Sequence, residues 1–469
     1  MIRRSSEQAN PRGITTWSMT LLGIMPLALA VAAATAWVLQ SYMGVLVPTS
    51  LLFGGNDGWC DPASAGLGVH CWGDYAQFTQ LRAGLDASGP GTNSFIPVYP
   101  PISRFFFLPF LMIGRVLGTH TSLIFYLFLA SLALVVPALW AGRYRPWPFK
   151  LLLLAVLGIG TYPFIATMDR GNNLAFMVPL LLVFVVAFAR QQWLTASISI
   201  VLLCQFKPQF LLLVLALLAV REYRRAAGTA AATIALFLVS FLPFSIPVFG
   251  MSASHELRAW FDLILRVGQS QPIDSSYPIN VSFARIAYLG TNLLGLKLPD
   301  SFIVSLGMGL ALTMMGMVVL LGRRIPPLLV AIVAMSSSAF LPGVVAPYYL
   351  VISLPVAAVI IRETSRPPTP TDPLEFIGDL DVQPSSGPMT AVKFLMLAAV
   401  VSSLTPLLIP YGALSQETVQ PESQMLVYSL VPLLASALWI GVSVATIVLG
   451  IRNRANHTPS DETRVLSPS

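Results

Sequence analysis

The sequence predicts an all-α polytopic membrane protein, a bundle of about twelve transmembrane helices with surface helices and loops on its outer face. Three observations predict it. Of 469 residues, 55% are hydrophobic and 10% charged, whereas soluble domains carry roughly 25% charged residues. Apolar runs of about 20 residues, long enough to cross a hydrocarbon core roughly 30 Å thick, recur from Trp17 to Ile451. The Lys and Arg residues fall in short clusters between those runs. That last pattern also separates the net charge of +7 from a nucleic-acid footprint, which needs a basic face with interleaved aromatics. A soluble enzyme is excluded by composition.

Taken in order, the stretch near 18–39 is longer than a signal-peptide core and is followed by no convincing small-residue cleavage site, so it reads as a retained first helix. Cytoplasmic loops collect Lys and Arg. Arg3/Arg4/Arg12, Arg143/Arg145/Lys150, Arg221/Arg224/Arg225, Arg323/Arg324 and Arg452/Arg454 therefore face the cytoplasm, and both termini lie inside. The consistent trace has helices near 18–39, 105–140, 151–168, 174–190, 194–206, 209–220, 229–249, 301–321, 327–344, 348–361, 391–410 and 425–450. The stretch 105–140 is too long for one straight helix, yet the charge rule demands an odd number of crossings, so a short tilted or re-entrant piece, 105–118, is expected before a full span. Helices 194–206 and 209–220 are short and meet at Lys207-Pro208, where proline cannot continue the ladder. They read as a broken hairpin with its tip outside.

The expected organisation is a transmembrane module over 1–361 with outer loops 40–104 and 250–300, a linker over 362–390, a helix pair over 391–451 and a cytoplasmic tail over 452–469. Many prolines and low hydrophobicity make the linker a disordered cytoplasmic segment. No internal repeat is visible, which counts against a transporter built from repeated halves.

Chemistry is expected on the outer face. The first loop carries Asp57, Asp61, Asp74 and Asp86 with Trp59, Trp72, Tyr75 and Tyr99. Carboxylates among aromatics suit sugars, whose C–H face stacks on rings while hydroxyls donate to carboxylate oxygens. Any one of these acids can equally be a solvated surface group. Asp74 opens a stretch, 74–81, that reads as an amphipathic segment on the membrane surface, where a partly desolvated carboxylate can serve as general base. Cys60 and Cys71 share this loop, a possible disulfide bracing the stretch before Asp74, with two free thiols as the alternative. Tyr99-Pro100-Pro101 stiffens the chain where it enters the membrane.

Asp169-Arg170-Gly171-Asn172-Asn173 packs charged and amide groups between apolar helices, with a helix N-terminus just beyond that suits a phosphate or carboxylate. The plainer reading is an Asp169–Arg170 pair capping the helix. Lys207, between Phe206 and Pro208, is costly to bury alone. It faces an anion such as a lipid phosphate, or snorkels to the interface. The loop 250–300 adds His255, Glu256, Arg258, Asp262, Arg266, Asp274, Tyr277 and Asn280, with a surface helix expected near 259–267. Asn280-Val281-Ser282 matches a glycosylation sequon, a pattern frequent by chance. There is no P-loop, GxGxxG or HExxH pattern, and Asp379-Leu380-Asp381, an acidic pair of the metal-holding kind, sits in the linker and reads as coincidence.

In order and spacing over 18–361, Asp74, Tyr99-Pro100-Pro101, Gly171-Asn172-Asn173, Phe206-Lys207-Pro208, Ser276 to Ser282 and Pro347-Tyr348-Tyr349 resemble the GT-C glycosyltransferases, and among them glycosyltransferase family 87 of actinobacteria. The resemblance implies a GT-C-like bundle in the plasma membrane. It also implies transfer of mannose or arabinofuranose from a polyprenyl-phosphate donor to a lipid-linked or cell-envelope glycan, on the outer, periplasmic side. Asp74 would be the general base, and Arg170 and Lys207 would bind the donor phosphate. Tyr99, Asn172, Asn173, His255, Asn280, Tyr348 and Tyr349 would bind substrate. No nucleotide cofactor is needed, no metal ligands are expected, and a divalent metal requirement is left open. The partners are the membrane, the lipid-linked donor and the glycan acceptor, not nucleic acid. Tyr348-Tyr349 stands where mannosyltransferases of the family often carry histidine, and Asp169-Arg170 replaces the more usual Gly-Gln, so the role of Arg170 rests on its charge. The competing classes are a transporter or flippase of a lipid-linked sugar, which would hold its ionisable residues near the midplane, and a non-catalytic assembly protein. Acids clustered at the rim favour the enzyme.

Overall fold

Backbone polar groups in a membrane have no water to bond, so the apolar runs satisfy them within helices. The computed structural model describes residues 16–45, 47–52, 75, 100–143, 145–245, 252–270, 280–362, 387–413 and 427–456. Asp74, Tyr99, Cys60, Cys71, most of the expected linker and the expected tail beyond 456 lie outside the described residues.

The chain runs through α1 (Thr16–Met43), α2 (Val47–Leu52), α3 (Pro101–Leu117), α4 (Thr119–Ala141), α5 (Trp147–Leu154), α6 (Tyr162–Arg170), α7 (Leu174–Ala189) and α8 (Trp193–Phe206). It continues through α9 (Val214–Ala219), α10 (Tyr223–Val239), α11 (Ala253–Ser270), α12 (Phe283–Leu293), α13 (Asp300–Leu321), α14 (Pro327–Phe340), α15 (Ser353–Ile361), α16 (Gly387–Leu404) and α17 (Val431–Asn456). Among the described residues four helices are long and apolar enough to cross a membrane alone: Thr20–Met43, Thr119–Ala141, Asp300–Arg324 and Val431–Asn453. The bent pair Trp147–Ile159 and Tyr162–Arg170 makes a fifth if counted as one span, and shorter apolar helices fill the bundle. The protein is mostly helical and multi-pass.

Two helices form its centre. Every residue from Leu328 to Phe340 of α14 and from Ser353 to Ile361 of α15 is buried. A helix apolar all round belongs in the interior. α1 is its opposite, with Leu27 65%, Trp37 61% and Tyr42 74% exposed along a face left to lipid.

Breaks in the expected helices have local causes. The long stretch near 105–140 divides at Gly118, whose φ of 91° is open to glycine, giving the short α3 ahead of the full-length α4. The expected helix 151–168 is instead two helices bent by 56°. A π turn over Ala155–Ile159 precedes the bend, and Pro163 lies in the first turn of α6, where its missing N–H costs nothing. At Lys207 the backbone is extended (φ −142°, ψ 106°), as a residue before proline favours, and a 3₁₀ turn over Pro208–Leu213 leads into α9. α10 ends at Val239, ten residues before the expected end at 249, and a short 3₁₀ turn follows over Leu242–Ser245. The expected surface helix is longer, all of α11, and docks through Trp260, 4.9 Å from Phe237 and packed with Phe241. The final helices occupy 387–404 and 431–456. Between them two short antiparallel strands, β1 (Pro410–Ala413) and β2 (Val427–Ser429), are an exception to the all-α expectation. Pro406 stops α16 near Leu404, and the chain then has only a short extended stretch in which to pair.

Candidate functional site

α6 ends at Arg170 because Gly171 turns left-handed (φ 60°, ψ 35°) and sends its N–H back to Met168 and Thr167 carbonyls. Asn172 Oδ1 then accepts the Leu174 N–H at 2.9 Å, opening α7. The segment read as a polar outer turn is thus packed inside protein, with Asp169 6%, Arg170 4%, Asn172 0% and Asn173 1% exposed. Burying such groups is unfavourable without partners, and the partners come from distant helices. Tyr126 of α4 donates to the Gly171 carbonyl at 2.8 Å. Asn173 Nδ2 donates to Ser103 Oγ at 3.4 Å, and Ser103 is itself buried just inside α3, two residues after the Pro100-Pro101 pair. Asn173 Oδ1 is buried with no hydrogen-bond partner among the described residues.

The second group forms at the helix break. Lys207 is buried, and its Nζ lies 5.4 Å from the centre of the Tyr349 ring, a cation over a π face. Tyr349 belongs to a 3₁₀ turn over Pro347–Ile352, receives a 3.0 Å bond on its hydroxyl from Gln209 Nε2, and stacks on Tyr348 at 5.3 Å. α6, which carries Asp169 and Arg170, packs along that same turn. Phe106 of α3 ties the two groups together, 4.6 Å from Phe176 of α7 and 5.5 Å from Phe206 of α8.

Tyr75, the described neighbour of Asp74 in sequence, is anchored beside this centre. Its hydroxyl donates to Ser122 Oγ at 2.7 Å, and its ring lies 4.9 Å from Tyr126, the residue that holds Gly171. Burial pushes the Tyr75 phenol above its ordinary range, opposed by the bond to Ser122. Asn280 and His255 stand elsewhere. Asn280 Nδ2 donates to the Gly343 carbonyl at 2.9 Å, and its Oδ1 accepts from the Ser282 and Val345 amides, each at 2.9 Å. Its amide therefore knots two backbone segments. His255 is exposed in the first turn of α11, its backbone N–H bonded to Ser252 Oγ at 3.1 Å.

The described contacts thus bring together Lys207, Tyr348 and Tyr349, and beside them Arg170, Asn172 and Asn173. Ser103, Tyr126 and Gln209 complete the arrangement without having been singled out from sequence. Gln209 had one local signal, a polar side chain near the start of an apolar run. Ser103 and Tyr126 had none, because their partners are 70 and 45 residues away. Chemically the arrangement offers two buried basic side chains, Lys207 and Arg170, the buried Asp169 carboxyl next to Arg170 in the chain, and amide and phenol groups, a set with more basic than acidic groups that suits an anion carrying hydroxyl groups. Among the described residues no three His, Cys, Asp or Glu side chains stand together as a metal site would require.

No curated protein and no solved structure matches the chain. A family model does, over residues 97–347, more than half of the sequence. The match takes in Tyr99, the 169–173 turn, Lys207, His255 and Asn280, while Asp74, Cys60 and Cys71 precede it and Tyr348 and Tyr349 follow it at once. An apolar bundle with buried cations at its helix breaks, matched over that length, belongs to glycosyltransferase family 87.

Proposed function

We propose that this glycosyltransferase is of the GT-C type and moves mannose or arabinofuranose from a polyprenyl-phosphate donor to a lipid-linked or cell-envelope glycan on the outer face of the plasma membrane. The observation that carries the reading is Lys207, buried at a helix break with its ammonium over Tyr349, whose turn packs against the helix that carries Arg170. Cations within a membrane mark the path of an anion more often than they serve stability. The donor phosphate is such an anion, and its charge grows as the sugar leaves.

In the proposed step an acceptor hydroxyl oxygen attacks the anomeric carbon while the bond from that carbon to the phosphate oxygen breaks. The bonding pair stays on the phosphate, which Lys207 and Arg170 stabilise. The hydroxyl proton passes to the Asp74 carboxylate. A single displacement with one base inverts the anomeric centre. Asn172, Asn173, Tyr348 and Tyr349 hold the sugar hydroxyls, with Tyr99 and His255 nearer the acceptor. Asn280 acts on substrate only by positioning the chain that leads to Tyr348.

The same reading has twelve crossings with both termini in the cytoplasm, the shorter helices crossing inside a protein shell. Its support is that contacts between connecting segments pair those assigned to one side. Ser103 meets Asn173, Lys207 meets Tyr349 and Asn280 meets Val345 on the outer side, whereas Arg324 meets Asn453 and Trp140 meets Arg362 on the inner.

The test is product formation by purified protein with short-chain polyprenyl-phosphate mannose and, separately, the arabinofuranose analogue, offered with a mixed actinobacterial glycolipid acceptor. A glycosylated product that vanishes in Asp74→Asn establishes donor, sugar and base together. Equal transfer by the variant and the wild type would remove Asp74 from the mechanism.

A further inference from the structure

The C-terminal helices α16 and α17 lie beyond the family match, and the geometry points to a specific task for them: α17 positions the Tyr348-Tyr349 turn through Ser436. Ser436 is fully buried, and its Oγ donates to the Val281 carbonyl at 2.6 Å, across 155 residues of sequence. Val281 in turn donates its N–H to the Val345 carbonyl at 2.8 Å, while Asn280 on one side and Ser282 on the other bond into 343–345. One residue further on, the Ala346 carbonyl accepts the Tyr349 N–H at 3.1 Å, closing the turn whose ring faces Lys207. A continuous run of hydrogen bonds and short backbone therefore links α17 to the buried cation.

The near end of that run is rigid. One turn along α17, Trp439 is fully buried and donates Nε1–H to Ser403 Oγ of α16 at 3.1 Å. The pair thus meets the bundle as a braced unit. Among the described residues the Ser436 hydroxyl bonds to the Val281 carbonyl and, at 3.3 Å, to the Pro432 carbonyl of its own helix, so it acts on the Tyr349 turn through the Val281 segment, as a positioning residue and not a catalytic one.

The same helix supplies the control. Ser443 is also fully buried, but among the described residues its hydroxyl bonds only within α17, to the Trp439 carbonyl at 3.0 Å. Ser436→Ala and Ser443→Ala remove the same atom from the same helix, and only the first cuts the connection.

Hydrogen exchange on the full-length protein in detergent, followed on peptides covering 280–286 and 343–352, tests the assignment for Ser436→Ala, Ser443→Ala and Ser436→Thr. Ser436→Ala should speed exchange in both segments by about tenfold. Ser443→Ala should leave them at the wild-type rate, and Ser436→Thr, which keeps the hydroxyl, should restore it. Equal exchange in the two alanine variants would overturn the assignment. The link to catalysis rests on the transferase reading, and there Ser436→Ala should raise the KM for the lipid donor several-fold more than it lowers kcat. Faster exchange in Ser436→Ala of a protein whose wild type transfers neither sugar would count against the proposed donor and acceptor and leave the positioning role intact.

Discussion

Asn173 and Asn280 are both fully buried asparagines at the mouth of a helix, and they are used in opposite ways. Asn280 is held by backbone at both ends of its amide, donating to Gly343 and accepting from Ser282 and Val345. Asn173 makes one long bond, 3.4 Å to Ser103, and leaves its carbonyl oxygen buried without a partner among the described residues. An amide engaged at both ends is spent on the fold; one whose oxygen is unused costs stability that a ligand can restore. The comparison separates a side chain that holds two backbone segments together from one with an acceptor to spare.

Four substitutions press on that distinction. Lys207→Met should have the largest effect, cutting transfer by about 100- to 1,000-fold as the phosphate loses its charge partner. It should also cost the cation–π contact with Tyr349, about 2 kcal/mol of stability. Steady-state transfer alongside thermal inactivation in detergent checks both halves, and lost stability without lost transfer would return Lys207 to the structural side. Asn280→Ala comes next. Stranding the Ser282 and Val345 amides together should cost about 3 kcal/mol or more, read as a much shorter half-life at raised temperature and a poor yield of monodisperse protein. Gly171→Ala should cost about 1–2 kcal/mol by forcing a side chain into the left-handed region, with a matching loss of transfer because Asn172 and Asn173 ride on that turn. Asn173→Ala should be mildest for the fold, under about 1 kcal/mol, yet should raise the donor KM several-fold. Equal destabilisation by Asn173→Ala and Asn280→Ala would erase the contrast.

Features governed by neighbours in sequence were the legible ones. Lys207-Pro208 announced the helix break, since proline dictates the backbone before it, and Gly171 announced a turn that other residues resist. Hydropathy found the helices but not the bend before Tyr162, because the residues around it are as apolar as a straight span. It also gave no hint of the strands at 410–413 and 427–429. In the site, the cations and amides were visible as polar groups in apolar runs, whereas their arrangement was not. Gln209 and Tyr349 are 140 residues apart, and nothing local tells either that the other exists. Asn280 looked like a ligand group for the same reason, since its backbone partners at Gly343 and Val345 arrive from 63 and 65 residues away.

The shortness of α14 has a consequence for the connection that follows it. Its 14 residues rise about 21 Å at 1.5 Å each, roughly 9 Å less than the hydrocarbon slab. The innermost pillar is therefore shorter than a hydrocarbon layer, and the backbone groups of the connection at 341–347 need partners from protein, which Asn280 and Ser282 supply at Gly343 and Val345.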